Sequence, residues 1–425
     1  MSSDTGSVPV VDGREGGKSR GGEVGNGSDI FFEVSLKNLL IRLIKNKIFG
    51  LLTFGIYRFW GKTHIRRQLW QGVRIGGDSL EYRGTAKELF IGFLIAMIIL
   101  VPILLVSSLV IQILSFATGN PAVNAIGQLA YFVLLYGFWQ FARYRLWRYR
   151  LSRTAWRGIR FYLSGSAIRY ALNVLLRSFV ALVTLGWAYP WLQAYRLNYQ
   201  LNNTHFGDGQ FTYSGSTGDL YRLYWPAILI AQLVAVAAMV FVATSGAIDL
   251  SMEALMAAET GQVKTAKSGS GEGVVKLVLA GVILFATMTI FSFVTRIWEF
   301  RYLVGKTTFN GARFSSRLSV RSVLLIFAVM MGLMLVSLLV VGGFFGAIIY
   351  WQKAAAVVLP FVLFIFLLIG MDILYTLFLL VPIVRKICET TEIENLDVFE
   401  ETAASSVNSP KYGEGFADAM DVGAF

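Results

Sequence analysis

The chain has 425 residues, 55% of them hydrophobic and only 15% charged, with mean hydropathy +0.60; an ordinary soluble domain is nearer a quarter charged. The net charge of +12 would raise nucleic acid as a partner for a soluble protein. Here Lys and Arg gather at the ends of apolar stretches, the pattern of the positive-inside rule, which argues against nucleic acid.

Residues 1–28 are Gly/Ser-rich, lack the apolar core of a signal peptide and read as a disordered tail. A first repeat unit is expected over 29–123. Its stretch 36–57 is apolar but carries Arg42, Lys45 and Lys47, and Thr53-Phe-Gly55 offers a place for a helix to break. Leu89–Ala117 is long enough to cross a ~30 Å hydrocarbon core as a helix. A degenerate second unit follows over 124–160, with the apolar block Ile126–Ala142. The third unit, 161–248, repeats the first: 167–188 carries Arg177 and Thr184-Leu-Gly186, and Trp225–Ala247 is a further candidate span. Residues 249–273 form a polar loop. Residues 274–387 hold a degenerate fourth unit and a C-terminal helix pair, with Val274–Val294, Val323–Trp351 and Ala354–Val384 as apolar blocks. Residues 388–425, rich in Asp and Glu, read as an acidic disordered tail.

Residues 31–90 align without a gap onto 162–221. Gly55 meets Gly186, Trp60 meets Trp191, Tyr82 meets Tyr213 and Gly84 meets Gly215, all at a constant offset of 131. Two shorter echoes exist: Thr154 and Phe161 match Thr204 and Phe211, and Thr307 and Phe314 match Thr204 and Phe211 again. Self-similarity of this kind signals duplication. Within each unit a short hairpin is predicted, clearest where Thr204 to Tyr213 alternates apolar and polar residues around Gly-Asp-Gly. Gly55, Trp60, Tyr82, Gly84, Gly186, Trp191, Tyr213 and Gly215 are read as structural, the glycines for tight turns and the aromatics for packing hairpins onto helix ends.

Thr53-Phe-Gly-Ile-Tyr-Arg-Phe-Trp60, the basic Arg66-Arg67 pair and Tyr82-Arg-Gly-Thr85 resemble the YjgN-like family of bacterial inner-membrane proteins. Thr184-Leu-Gly-Trp-Ala-Tyr-Pro-Trp191 and Phe211-Thr-Tyr-Ser-Gly215 repeat the signature. The resemblance implies an inner-membrane location and a multi-pass architecture; it transfers no catalytic residue.

If all eight apolar stretches crossed the membrane, the Arg-rich segments Arg143–Arg169 and Arg296–Arg321 would lie on opposite sides, against the charge rule. Letting 36–57 and 167–188 enter and leave on one side, or lie in the interface, puts every hairpin and both tails in the cytoplasm. The predicted class is therefore an all-α integral membrane protein with six transmembrane helices, two re-entrant or interfacial helices and short cytoplasmic β-hairpin-like repeats.

Trp139, Arg143, Leu146, Arg150, Arg153 and Arg157 follow three-four spacing and share a predicted helical face. Arg143, Arg150, Arg153 and Arg157 are candidates for binding anionic headgroups, because guanidinium groups fork onto phosphate and basic residues near an anionic surface each contribute about 1 kcal/mol. Plain anchoring by basic and aromatic side chains would give the same pattern. Asp372 lies midway along the last apolar block, with Tyr375 three residues on; an intramembrane acid is a functional candidate, or else a hydrogen-bonded packing residue. Gly61-Lys62-Thr63 and Gly305-Lys306-Thr307 end like phosphate-binding loops, but Ile56 and Phe300 stand where the first glycine is required.

No catalytic constellation is visible, and an enzyme is not expected. The single cysteine, Cys388, excludes an intramolecular disulfide, and His64 and His205 are too far apart in sequence to suggest zinc; no metal and no cofactor are expected. The sequence points to binding or transport of anionic lipids or amphiphiles. The competing expectation is a scaffold or regulator contacting partners through cytoplasmic hairpins. Anionic membrane lipids are the expected partner in either case, and the oligomeric state is not legible.

Overall fold

The computed structural model describes residues 30–244, 270–350 and 370–404. The expected N-terminal tail, nearly all of the polar loop and residues 405–425 lie outside the described residues. One local pattern recurs along the chain. A short strand is followed by a Ser or Thr, a helix leaves, a second helix returns, and the next strand begins, with a Thr in every round but the first. Strand β1 (Ile30–Phe32) leads to α1 (Leu36–Leu52) and α2 (Arg58–Gly72), then to β2 (Val73–Ile75). β3 (Asp78–Tyr82), α3 (Ala86–Thr118), α4 (Pro121–Ser152) and β4 (Thr154–Trp156) follow. Next come β5 (Ile159–Leu163), α5 (Ala167–Val183), α6 (Tyr189–Leu201) and β6 (Thr204–Phe206). β7 (Gly209–Tyr213), α7 (Thr217–Thr244), α8 (Ser270–Gly305) and β8 (Thr307–Phe309) repeat the order. The last round has β9 (Ala312–Ser316), α9 (Val320–Tyr350), a π-helical turn (Tyr375–Leu380) running into α10 (Val381–Thr390), and β10 (Thr391–Glu394).

The punctuation is chemical. Ser35, Thr85, Ser166 and Ser216 each accept, through the side-chain oxygen, the backbone N–H three residues on, at 3.4, 3.3, 3.3 and 3.1 Å. Each satisfies a donor that a helix start would leave unpaired. The hydroxyls of Thr154, Thr204, Thr307 and Thr390 donate to the carbonyl four residues back, at 2.9, 2.8, 2.7 and 2.7 Å, and close the returning helices. Two-residue turns join the hairpins: Gly76-Gly77, Arg157-Gly158 and Asn310-Gly311 have positive φ at both positions and Gly207-Asp208 at the first, as tight hairpins require.

The ten strands form a single antiparallel sheet in chain order, β1 to β10. Hairpins are stitched to each other through distant residues: Tyr82 opposite Thr154, Leu163 opposite Thr204, Tyr213 opposite Thr307, and Thr391 opposite Ser316. The sheet curls almost into a ring, because Ile30 and Phe32 of β1 share a core with Cys388 and with Ile393 of β10. Its interior is aromatic: Trp156, Phe206 and Phe309 surround Phe399. Phe399 sits on a 3-10 turn (Leu396–Phe399) just past the last strand. The described helices leave from this ring, so the hairpins gather on one side of them.

Three expectations are corrected. The all-α class fails: hairpin edges cannot stay unpaired, and they pair into a ten-stranded sheet. The count of six spans with two further inserted helices fails as well. Among the described residues five helices are long and apolar enough to cross a membrane: α3, α4 and α7, with α8 from Val278 and α9 through Val340. The expected sixth block, Ala354–Val384, lies outside the described residues up to 369 and is interrupted by the π-helical turn. The acidic tail is not free from 388 onward: Thr391–Glu394 pairs with β9, and Phe399 is only 5% exposed.

Candidate functional site

Residues 36–72 carry Lys37, Arg42, Lys45, Lys47, Arg58, Lys62, Arg66 and Arg67 and no acidic residue. They fold as the hairpin of α1 and α2. α1 stops in a tight C-cap: the N–H of Gly55 bonds the carbonyl of Gly50 at 2.7 Å and that of Phe54 bonds Leu51 at 3.2 Å. Phe54 and Gly55 take the positive φ values of 49° and 84° that this reversal needs. Leu185 and Gly186 repeat it at 50° and 93°. Both tips are apolar and exposed, Phe54 almost completely. Further down, Gly61 lets α1 and α2 approach, and the Asn46 amide donates to its carbonyl at 3.3 Å.

Between this hairpin and residues 370–380 lies a cavity of 540 Å³. Lys47, Arg58, Lys62 and Arg66 reach it from one side, Asp372 and Tyr375 from the other, and Leu43, Leu51, Ile65, Leu69 and Leu380 supply an apolar wall. The Asp372 carboxylate and the Lys47 ammonium form an ion pair. Asp372 and Tyr375 therefore meet in one cavity as the sequence grouped them, and the π-helical turn that begins at Tyr375 lies in its wall; such turns recur at functional sites. Arg66 is itself held over the Tyr82 ring, 6.0 Å from its centroid. On the outer side of the hairpin, His64 shares a groove of 440 Å³ with Arg42 and Lys45. Burial, with Arg42 and Arg67 nearby, holds its imidazole below the usual value.

In the sequence, Arg42, Lys45 and Lys47 read only as charges within an apolar stretch and Arg66-Arg67 only as part of the family signature, not as a binding site. The signal was present as a run with eight bases and no acid over 36–72.

The four arginines expected on one face do not converge. α4 ends at Ser152. Arg153 caps it, pairs with Glu88 at 3.0 Å and lies over the Tyr149 ring. Arg157 sits in the β4–β5 turn at φ 50°, pairs with Asp78 at 2.6 Å and Glu400 at 3.0 Å, and stacks on Trp156. Arg150 is buried at the helix end. These three hold the fold together. Arg143 stands apart, half-buried, with the charges of Arg196 and Arg296 near enough to oppose its own.

The repeated motif residues are structural in geometry. A side chain at Gly84 or Gly215 would run into the ring of Tyr82 or Tyr213, each folded back over its glycine. Trp60 lies 6.3 Å from Tyr57 and 6.1 Å from Phe90, and Trp191 packs under the Arg177 guanidinium at 4.6 Å.

A curled sheet carrying helices of membrane-spanning length, five of them among the described residues, fits a membrane protein. A family model described as a bacterial protein of unknown function (DUF898) matches residues 30–419, and the chain belongs to that family. This is the YjgN family that the motifs resemble. No curated protein and no solved structure matches the chain.

Proposed function

We propose that the protein sits in the bacterial inner membrane with its sheet on the cytoplasmic side, and binds the anionic headgroup of a membrane amphiphile in the cavity between α1, α2 and residues 370–380. One observation carries the reading: among the described residues, four cations and one carboxylate line a cavity that also has an apolar wall. Guanidinium and ammonium groups take phosphate oxygens, and the leucines and isoleucine accept the start of a hydrocarbon chain. Asp372, paired with Lys47, offsets part of the positive charge, and an arriving anion competes with it for Lys47.

The depth suits a headgroup. Lys62 lies ten residues from the sheet end of α2, about 15 Å along the helix axis. The basic residues at the sheet end of the helices favour the cytoplasmic orientation.

The test is thermal unfolding in maltoside micelles with dioctanoyl phosphatidic acid against dioctanoyl phosphatidylcholine. The anionic lipid should raise Tm and the zwitterion should not. Lys62→Gln should require about tenfold more anionic lipid for the same rise, since a hydrogen bond to a charged group is worth about 1.5–3 kcal/mol. Equal stabilisation by both lipids, or a response untouched by Lys62→Gln, would overturn the proposal.

A further inference from the structure

A second polar constellation crosses the bundle away from that cavity. At one end the Ser178 and Tyr136 hydroxyls are 2.8 Å apart, and Arg196 donates to the Tyr136 oxygen at 3.2 Å. At the other, the buried Glu299 carboxylate accepts from the Tyr224 hydroxyl at 2.6 Å, from Arg296 at 3.2 Å and from the Gln193 amide. Arg143 lies near enough to both Arg196 and Arg296 for mutual repulsion, and it makes no hydrogen bond or ion pair among the described residues.

Of the three guanidinium groups only Arg296 bonds the Glu299 carboxylate, and Arg143 and Arg196 have no acidic partner among the described residues. Gathering like charges out of water is costly unless an anion joins them. Independent observations point the same way. Arg196, Gln193 and Gln140 are each more than nine-tenths buried, yet the Arg196 Nε–H and the Oε1 atoms of both glutamines meet no hydrogen-bond partner. The first wants an acceptor and the other two want donors. Tyr136, Gln140 and Arg143 share one face of α4, and Tyr189, Gln193 and Arg196 one face of α6, by their spacing. A cavity of 180 Å³ walled by Ala227, Ile228, Met288 and Phe291 reaches Tyr189, Tyr224 and Arg296. The Arg296 side chain is 56% exposed at the bundle surface and marks a way in.

We propose that Arg143, Arg196 and Arg296 form an anion site for a hydroxyl-bearing phosphoester, a polyol phosphate. Its phosphate meets the guanidinium groups, and its hydroxyls donate to Gln140 and Gln193. The ligand is free in solution, or it heads an amphiphile whose chain starts in the 180 Å³ cavity. The site does not depend on the α1–α2 cavity.

Calorimetric titration of the full chain in maltoside micelles tests it, with dioctanoyl phosphatidylglycerol and glycerol 3-phosphate as probes. Arg143→Gln should abolish one class of binding or weaken it about tenfold. Arg143→Lys should restore part of it, and Lys62→Gln should leave it in place. If the first cavity is not a site, one Arg143-dependent class remains, so the two readings fail separately. A response to the lipid alone assigns the membrane source, and a response to glycerol phosphate assigns the free one. No binding of either probe, or binding indifferent to Arg143→Gln, overturns the proposal. A second readout separates a merely structural role. Without lipid, Arg143→Gln should hold or raise Tm because a like charge is removed. A fall in Tm of the same size with and without lipid would overturn the site.

Discussion

Replacing Phe399 by Ala removes the side chain on which the ring of strands closes. Its ring stacks on Phe309 at 4.5 Å, and lies 5.4 Å from Trp156, 5.8 Å from Phe206 and 6.4 Å from Phe314. Those partners come from three different hairpins, so the loss falls on the sheet as a whole. Truncating a buried Phe to Ala costs about 3–5 kcal/mol, from lost transfer energy and the cavity left behind. Hydrogen exchange followed by mass spectrometry reads this directly, because strand amides exchange through opening of the sheet. Amides of β4, β6 and β8 should exchange about two to three and a half powers of ten faster, at roughly 1.4 kcal/mol per tenfold. Phe54→Ala, at the exposed tip of α1, is the control and should leave these amides unchanged. Unaltered protection of β4, β6 and β8 in Phe399→Ala would refute the claim that the C-terminal turn holds the ring.

Gly207→Ala should loosen the same region from the other side. Its φ is +57°, and a Cβ there would overlap the Ala403 carbonyl; the backbone term alone is about 1–2 kcal/mol. Glu-C should then cut faster at Glu400 and Glu401, and an unchanged rate would contradict the packing. Cys388 is buried, which pushes its thiol up to about 11; maleimide at neutral pH should label it only after denaturation, whereas rapid labelling of the folded protein would place it at the surface. His64 adds a pH dependence. Its folded pKa lies below the unfolded 6.5, so as pH falls through 6.5 the unfolded chain takes the proton first and stability declines, levelling off below the folded value. The decline should be smaller in His64→Gln, and an identical pH profile would remove His64 from the account.

The individual hairpins were legible because each is local: Thr204 to Tyr213 alternates around Gly207-Asp208, and a two-residue turn fixes its register. The ring was not legible. It depends on pairings such as Tyr82 with Thr154, 72 residues apart, and strands of three to five residues carry too little pattern to show which edges meet. Arg157 was misplaced because three-four spacing continues past the true helix end. The echo that sets Thr154 beside Thr204 contains the correction, since it aligns Arg157-Gly158 with the Gly207-Asp208 turn. β10 escaped notice because Thr391-Glu-Ile-Glu394 has a polar composition and owes its order to β9. The charge on α1 was read as a barrier to spanning; what it builds with the bases of α2 is visible only once Asp372, some 300 residues away, closes the cavity.

Photo-crosslinking tests the central claim most directly. A phosphatidic acid analogue carrying a diazirine near the headgroup would be reacted with the protein in its native membrane, and the labelled peptides mapped. Adducts on residues 43–70 and 370–380, reduced by Lys62→Gln, are the predicted result. Adducts confined to the outer apolar faces of α3, α7 and α9, with the same yield in Lys62→Gln, would contradict a headgroup site in the cationic cavity.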